Sequence, residues 1–299
     1  MRKPPPVRPG DLIGIVAPGA AVEEGVIHAG VRALEGAGYR IRLGRSVLKR
    51  TGYLAGTDAE RLTDLIDMFE DREVGAILAA RGGYGSGRLL PLFDPAIAER
   101  HPKAFVGYSD LTFLLTQLVQ RAGLVSFHGP MLAGLEQNRD GGAALLALLS
   151  GDRAGWNLSA RSIVQPGMAE GMVVGGCLSI LVAALGTPYA IETDGRLLFI
   201  EDVNEKPYRI DRMLTQLRQA GKLDAVAGVI FGEMQGCVSG PAEAVSVVDV
   251  LRDAFATARY PVVFGLSSGH GGGATTLPLG IRARLAGERL SLLESPLAE

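Results

Sequence analysis

The first half of the chain alternates apolar runs with stretches of helical period, and this alternation restricts the fold more than any other feature. Leu12 to Ala17 reads as a buried strand, Val22 to Glu35 as an amphipathic helix and Tyr39 to Leu43 as a second strand. Thr57 to Glu70 is a helix with Leu62, Leu65, Ile66 and Phe69 on one face. Val74 to Ala80, a glycine-rich turn from Arg81 to Gly87, a short helix at Leu89-Leu90 and a strand at Ala104 to Val106 follow. Strands separated by helices are joined by crossovers, which makes them parallel and covers both faces of the sheet. A doubly wound α/β domain is expected over residues 1–150.

Residues 151–167, with Trp156 and Pro166 among polar residues, lack a clear period and read as a linker. A C-terminal domain over 168–299 follows. Its elements are a strand at Met172, a helix at Leu178, a strand at Leu197, a helix opening at Pro207 with Ile210, Met213, Leu214 and Leu217 inward, and a strand at Val226 to Ile230. A helix at Val245 to Phe255, a strand at Val262 and an antiparallel ending complete it. Gly171 to Ile191 has no charged residue and the length of a bilayer span. Its four glycines and Pro188 favour a buried strand, turn and helix.

Composition narrows the function. Thirty basic residues against thirty-two acidic ones, net charge -2, give no global attraction for nucleic acid or an anionic membrane. Two cysteines without C-x-x-C spacing and four scattered histidines suggest neither a disulfide framework nor a metal centre. The apolar run after the basic N-terminus is too short for a secretory segment, and a cytoplasmic protein is expected.

Gly107-Tyr108-Ser109-Asp110 joins the Phe105 strand to the helix carrying Leu114, Leu115 and Leu118. A serine there is either a nucleophile lifted from the sheet or an ordinary helix N-cap. A nucleophile needs a base and usually an acid behind it. His28 lies on a helix and His101 in a charged loop, both suited to solvated roles; His128 ends a strand near the serine. His270 stands among glycines directly after the Val262 strand, where its ring would be accessible. Glu201 ends the strand from Leu197, where open parallel sheets usually place function. Alternatively, Glu201, Asp202 and Glu205 favour the N-terminus of the Pro207 helix. The glycines at 82, 83, 85 and 87 match no dinucleotide fingerprint, although this turn could donate a backbone N–H to an oxyanion. His270-Gly271-Gly272-Gly273 imitates a lipase oxyanion loop but follows the serine instead of preceding it.

As a set, seven segments resemble the LD-carboxypeptidase family of serine peptidases, which includes muramoyl-tetrapeptide carboxypeptidases and microcin C self-immunity proteins. They are Ile13 to Pro18, Ala80 to Gly85, Gly107 to Asp110, His128 to Met131, Gly175 to Ser179, Phe199 to Asp202 with Pro207 to Arg212, and Gly269 to Gly271. The resemblance implies a parallel-sheet N-terminal domain, a smaller C-terminal mixed-sheet domain, catalytic residues from both and a homodimer. It implies a triad of Ser109, Glu201 and His270, with backbone oxyanion donors at Asp110 and Gly83 and no metal or cofactor. The substrate would be a murein tetrapeptide cut before its terminal D-amino acid, in cell-wall recycling. Arg81 and Arg88 are candidates for its free carboxylate. Cys177 departs from the asparagine common in the family, which affects packing or substrate contact there. A microcin-C-like peptide-nucleotide peptidase is an alternative, disfavoured by a single tryptophan, Trp156; an α/β-hydrolase esterase is disfavoured by Leu111 in place of the last elbow glycine. A two-domain binding protein without chemistry is the alternative of another class.

Overall fold

The computed structural model describes residues 1–152, 156, 158–240, 245–271 and 275–299. The chain divides into two compact units, Met1–Gly155 with Thr275–Pro278 and Ser295–Glu299, and Trp156–Ala274 with Leu279–Glu294. The first unit is thus not a single run of chain.

The first unit contains β1 (Leu12–Val16), α1 (Glu24–Gly36), β2 (Arg40–Leu43), α2 (Asp58–Glu70), β3 (Val74–Ala79), α3 (Ala96–Arg100), β4 (Ala104–Gly107), α4 (Thr112–Gln120), β5 (Ser126–His128) and α5 (Arg139–Leu149). Its strands β1 to β5 pair in parallel. The α/β parallel sheet expected from the alternation is present. Continuous apolar runs in β1, β3 and β4 are buried on both faces, as a doubly covered sheet requires. Helix α2 begins at a capping box, Thr57 with Glu60, and lays Leu65, Met68 and Phe69 inward. There Phe69 stacks on Phe105 at 6.4 Å between centroids. Helix α1 comes so close to the backbone at Leu132 that a Cβ on Gly30 would stand 2.5 Å from the Leu132 oxygen.

The second unit contains β6 (Leu158–Ser159), β7 (Ser162–Gln165), β8 (Met168–Cys177), α6 (Leu178–Ala183), β9 (Arg196–Val203), α7 (Pro207–Gln219), β10 (Gly228–Gln235), α8 (Val247–Ala254) and β11 (Val262–Phe264), and later β13 (Arg282–Ala286) and β14 (Arg289–Leu292) after β12 (Leu277–Leu279). The short β12 lies in the other sheet, whose order is β12-β5-β4-β3-β1-β2. The second sheet runs β6-β14-β13-β8-β9-β10-β11-β7, with β8 to β11 parallel and its flanks antiparallel. The unit is the shorter of the two, as expected, and among the described residues its sheet has eight strands against six in the first. The additional strands come from the segment read as a linker. Half-exposed β6 and β7 there have too little apolar alternation to signal a strand. Residues 153–155 and 157 of that segment, and Gly272 and Gly273 of the glycine run, lie outside the described residues. Gly175 and Gly176 are part of β8, and α6 starts directly after Cys177 with no separate turn. Among the described residues no helix is long and apolar enough to cross a membrane.

Candidate active site

In the first unit, β4 ends at Gly107, a short 3-10 turn covers Ser109–Leu111, and α4 follows. Ser109 has φ 64, the left-handed region that a residue with a Cβ rarely adopts. An N-cap residue has extended backbone instead. The positions preceding the turn and α4 are Tyr108 and Leu111, and neither side chain caps. Ser109 is therefore held in an elbow and is not a cap. The room for it is made by glycines. A Cβ on Gly107 would meet Leu111 at 3.1 Å, and one on Gly82 would meet the Ser109 Cβ at 2.8 Å. Placement at the start of a helix leaves amides such as that of Asp110 without i−4 carbonyl partners.

The glycine turn after β3 is built around the elbow. Gly83 and Gly85 have φ 79 and 141, conformations that favour glycine. The buried Asp110 accepts the Ser86 amide at its carboxylate (2.8 Å), while the Ser86 hydroxyl donates to the Asp110 carbonyl oxygen (2.6 Å). Burial raises the Asp110 pKa above the usual carboxylate range, against the lowering effect of the Ser86 bonds. Beneath the turn the fully buried Arg61 donates to the carbonyls of Pro18 and Gly85 and to Asp58.

In the second unit, Glu201 lies near the end of β9, fully buried, and its Oε2 is 2.6 Å from Nδ1 of His270, whose side chain is 13% exposed. A buried carboxylate at that distance fixes the ring and favours the proton on Nδ1, leaving Nε2 as the acceptor. Gly269, at φ 139, permits the approach; a Cβ there would stand 3.0 Å from Glu201 Oε2 and 3.2 Å from the Glu233 Cβ. Glu233 on β10 ties the histidine loop twice. Its amide donates to the Ser268 carbonyl (2.9 Å), and its Oε2 accepts the Gly271 amide (2.5 Å). Asp202 accepts the Ser179 amide (2.8 Å) and thus serves the N-terminus of α6, not that of α7. Glu205 pairs with Arg209 on α7 at 3.5 Å. Cys177 is register partner to Glu201 across β8 and β9. Burial, and then the nearby Glu201 and Asp202, push its pKa well up, which keeps it a thiol.

The structure gathers Ser109, Asp110 and Gly83 in one unit, and Glu201 with His270 in the other. His28 is an exposed neighbour of Glu24, and His128 is buried in β5 with its ring 5.8 Å from that of Tyr108. Arg88 grips Asp58 with both Nε and Nη2, at 2.8 to 3.0 Å. Arg81 makes one long contact, 3.4 Å, to the Ala21 carbonyl. Sequence reasoning missed Arg61, Ser86 and Glu233. Their roles rest on contacts to residues distant along the chain, and no local spacing announces them. Among the described residues no three His, Cys, Asp or Glu side chains form a potential metal-binding group.

A parallel sheet bearing a left-handed serine after one strand, and a mixed sheet bearing a buried glutamate on a histidine, make up a two-domain α/β protein. Residues 13–129 match the LD-carboxypeptidase N-terminal domain and residues 170–285 the LD-carboxypeptidase C-terminal domain. The chain belongs to the LD-carboxypeptidase family. It is 40% identical over 305 residues to the "Probable murein peptide carboxypeptidase" of Bacillus subtilis, across 99% of this chain and 96% of that protein. The crystal structure of the muramoyltetrapeptide carboxypeptidase from Oxalobacter formigenes is similar at TM-score 0.84 and 30% identity, covering 94% of this chain and 97% of that one. Wild-type apo microcin C7 self-immunity protein MccF matches at TM-score 0.91, with complete coverage of both chains. At 23% identity that likeness is one of fold.

Proposed function

We propose that this chain is a cytoplasmic serine carboxypeptidase that hydrolyses the amide between an L-configured centre and the terminal D-amino acid of a murein tetrapeptide. The observation that carries the reading is the 2.6 Å contact between buried Glu201 and His270, because a serine nucleophile needs a base, and a base oriented by a buried acid is the usual arrangement. In this reading Nε2 of His270 takes the proton from Ser109 Oγ as the oxygen attacks the carbonyl carbon. The tetrahedral oxyanion is held by the amides of Asp110 and Gly83. Collapse releases the D-amino acid with the proton returned to its nitrogen, and water then cleaves the acyl-serine by the same base.

Identity to murein peptide carboxypeptidases along nearly the whole chain supports the substrate class. For the substrate's free carboxylate Arg81 is the better candidate, since the Arg88 fork is committed to Asp58. The homodimer expected of the family is part of this reading, and light scattering of the purified chain tests it. The decisive experiment incubates the parent protein and Ser109→Ala with murein tetrapeptide and with processed microcin C, following D-alanine release and aminoacyl-nucleotide cleavage by mass spectrometry. D-alanine release by the parent alone is expected. Equal turnover by Ser109→Ala would end the proposal.

A further inference from the structure

The proposed chemistry gives no role to Arg61, a buried charge beneath the glycine turn. Arg61, on α2, is wholly inaccessible to solvent, and a guanidinium in that position requires partners for its donors. Its Nη1 donates to the carbonyls of Pro18, in the loop after β1, and Gly85 (3.0 Å), in the glycine turn after β3; Nη2 donates to Asp58. Strands β1 and β3 are neighbours at the point where the strand order of the first sheet reverses. Loops leaving the carboxyl ends of strands at such a point border the crevice in which open α/β sheets bind ligands.

Of the two loops tied by Arg61, the one after β1 packs on Gly83 in the other. A Cβ added to Gly19 would stand 2.4 Å from the Gly83 oxygen. One added to Gly85 would stand 3.1 Å from Arg61 Nη1 and 3.2 Å from the Gly19 Cα. With no side chain able to enter between these backbones, a shift of either loop is transmitted to the Gly83 peptide. From the elbow side, the paired hydrogen bonds between Ser86 and Asp110 hold the same turn. Asp58, which receives Arg61, is itself gripped by Arg88, so the clamp has an anchored end.

We propose that Arg61 is a positioning residue for catalysis, clamping the β1 loop to the glycine turn so that the Gly83 amide faces the oxyanion. The inference rests on the reading of Ser109 as nucleophile and Gly83 as oxyanion donor. An oxyanion donor acts on the transition state, so its misplacement lowers kcat and leaves KM nearly unchanged.

The test uses full-length Arg61→Met, with Arg61→Lys as the conservative variant and Asp58→Ala as a milder disturbance of the clamp. Active serines are counted by end-point titration with a fluorophosphonate, and kcat is expressed per titrated site. We expect Arg61→Met to lose about 10- to 100-fold in kcat per site with KM within about threefold. The rate of phosphonylation, which forms a tetrahedral adduct in the same hole, should fall in parallel, and Arg61→Lys should recover part of both. Unchanged kcat per site, whatever the loss of melting temperature or yield, would make Arg61 a purely structural residue. If Arg61→Met does not fold, Asp58→Ala is judged by the same criterion. Failure of the reagent to label Ser109 in the parent is a separate result, which removes the nucleophile reading and this inference with it.

Discussion

Replacing the buried acid by its amide, Glu201→Gln, isolates the contribution of the carboxylate to the base. Glu201 is fully buried, and its Oε2 lies 2.6 Å from His270 Nδ1, so glutamine fits the same volume and keeps a polar atom at that position. What changes is the direction of donation. A carboxylate accepts the Nδ1 proton, whereas the amide NH2 can donate to Nδ1 and move the ring proton to Nε2, where it blocks uptake from Ser109. The carboxylate also stabilises the imidazolium that forms, and the amide does not. In serine triads this exchange costs about 10⁴-fold in kcat, or about 5.4 kcal/mol at about 1.36 kcal/mol per tenfold. The stability change should be small, because glutamine fills the same volume beside His270 and avoids the desolvation cost of a buried carboxylate. The assay is D-alanine release per titrated site, with a urea unfolding curve as control. A kcat within about threefold of the parent's, in a folded protein, would refute the assignment of Glu201 as the acid.

Three other perturbations test separate elements. Ser109→Gly and Ser109→Ala should both be inactive, but the glycine variant should be the more stable by about 1 kcal/mol, because only glycine adopts φ 64 without strain; equal urea midpoints would remove the strain argument. Arg81→Ala should raise KM for the tetrapeptide by at least about tenfold, with little change for an analogue amidated at its C-terminus; an equal effect on both would remove Arg81 from carboxylate recognition. Lys103, buried with Nζ on the Met68 carbonyl (2.8 Å) and the Asp71 carbonyl, has its pKa lowered from 10.5 to about 8 by burial and then by Arg42. The folded protein loses this proton first, so between pH 8 and 10.5 the unfolded chain binds more protons and the Lys103 contribution to stability rises with pH, by up to about 3 kcal/mol. Lys103→Met should lack that rise, and urea midpoints of parent and variant that run parallel across this window would contradict it.

The parallel core of the first unit was legible because each strand is a continuous apolar run and each helix has a clear period, as Leu65 and Phe69 on α2 show. Strands β6 and β7 were not legible, since an edge strand exposed on one side needs little apolar content. Nor was the transfer of β12 to the first sheet, which depends on a pairing far along the chain. In the candidate site, Gly107-Tyr108-Ser109-Asp110 alone was compatible with either a cap or an elbow. The left-handed φ of Ser109 resolves that local choice.

The order of residue types along the chain by itself determined the α/β class, the strand-end positions of Ser109 and Glu201, and the glycine loop around His270. These depend on local periodicity and backbone freedom, which neighbouring residues set. Only the tertiary structure decided that Asp202 serves α6, that Glu201 reaches His270, that Arg88 is spent on Asp58 and that Arg61 lies beneath the glycine turn. Each is a hydrogen bond between groups far apart in sequence, whose partner is chosen by the packing that buries it.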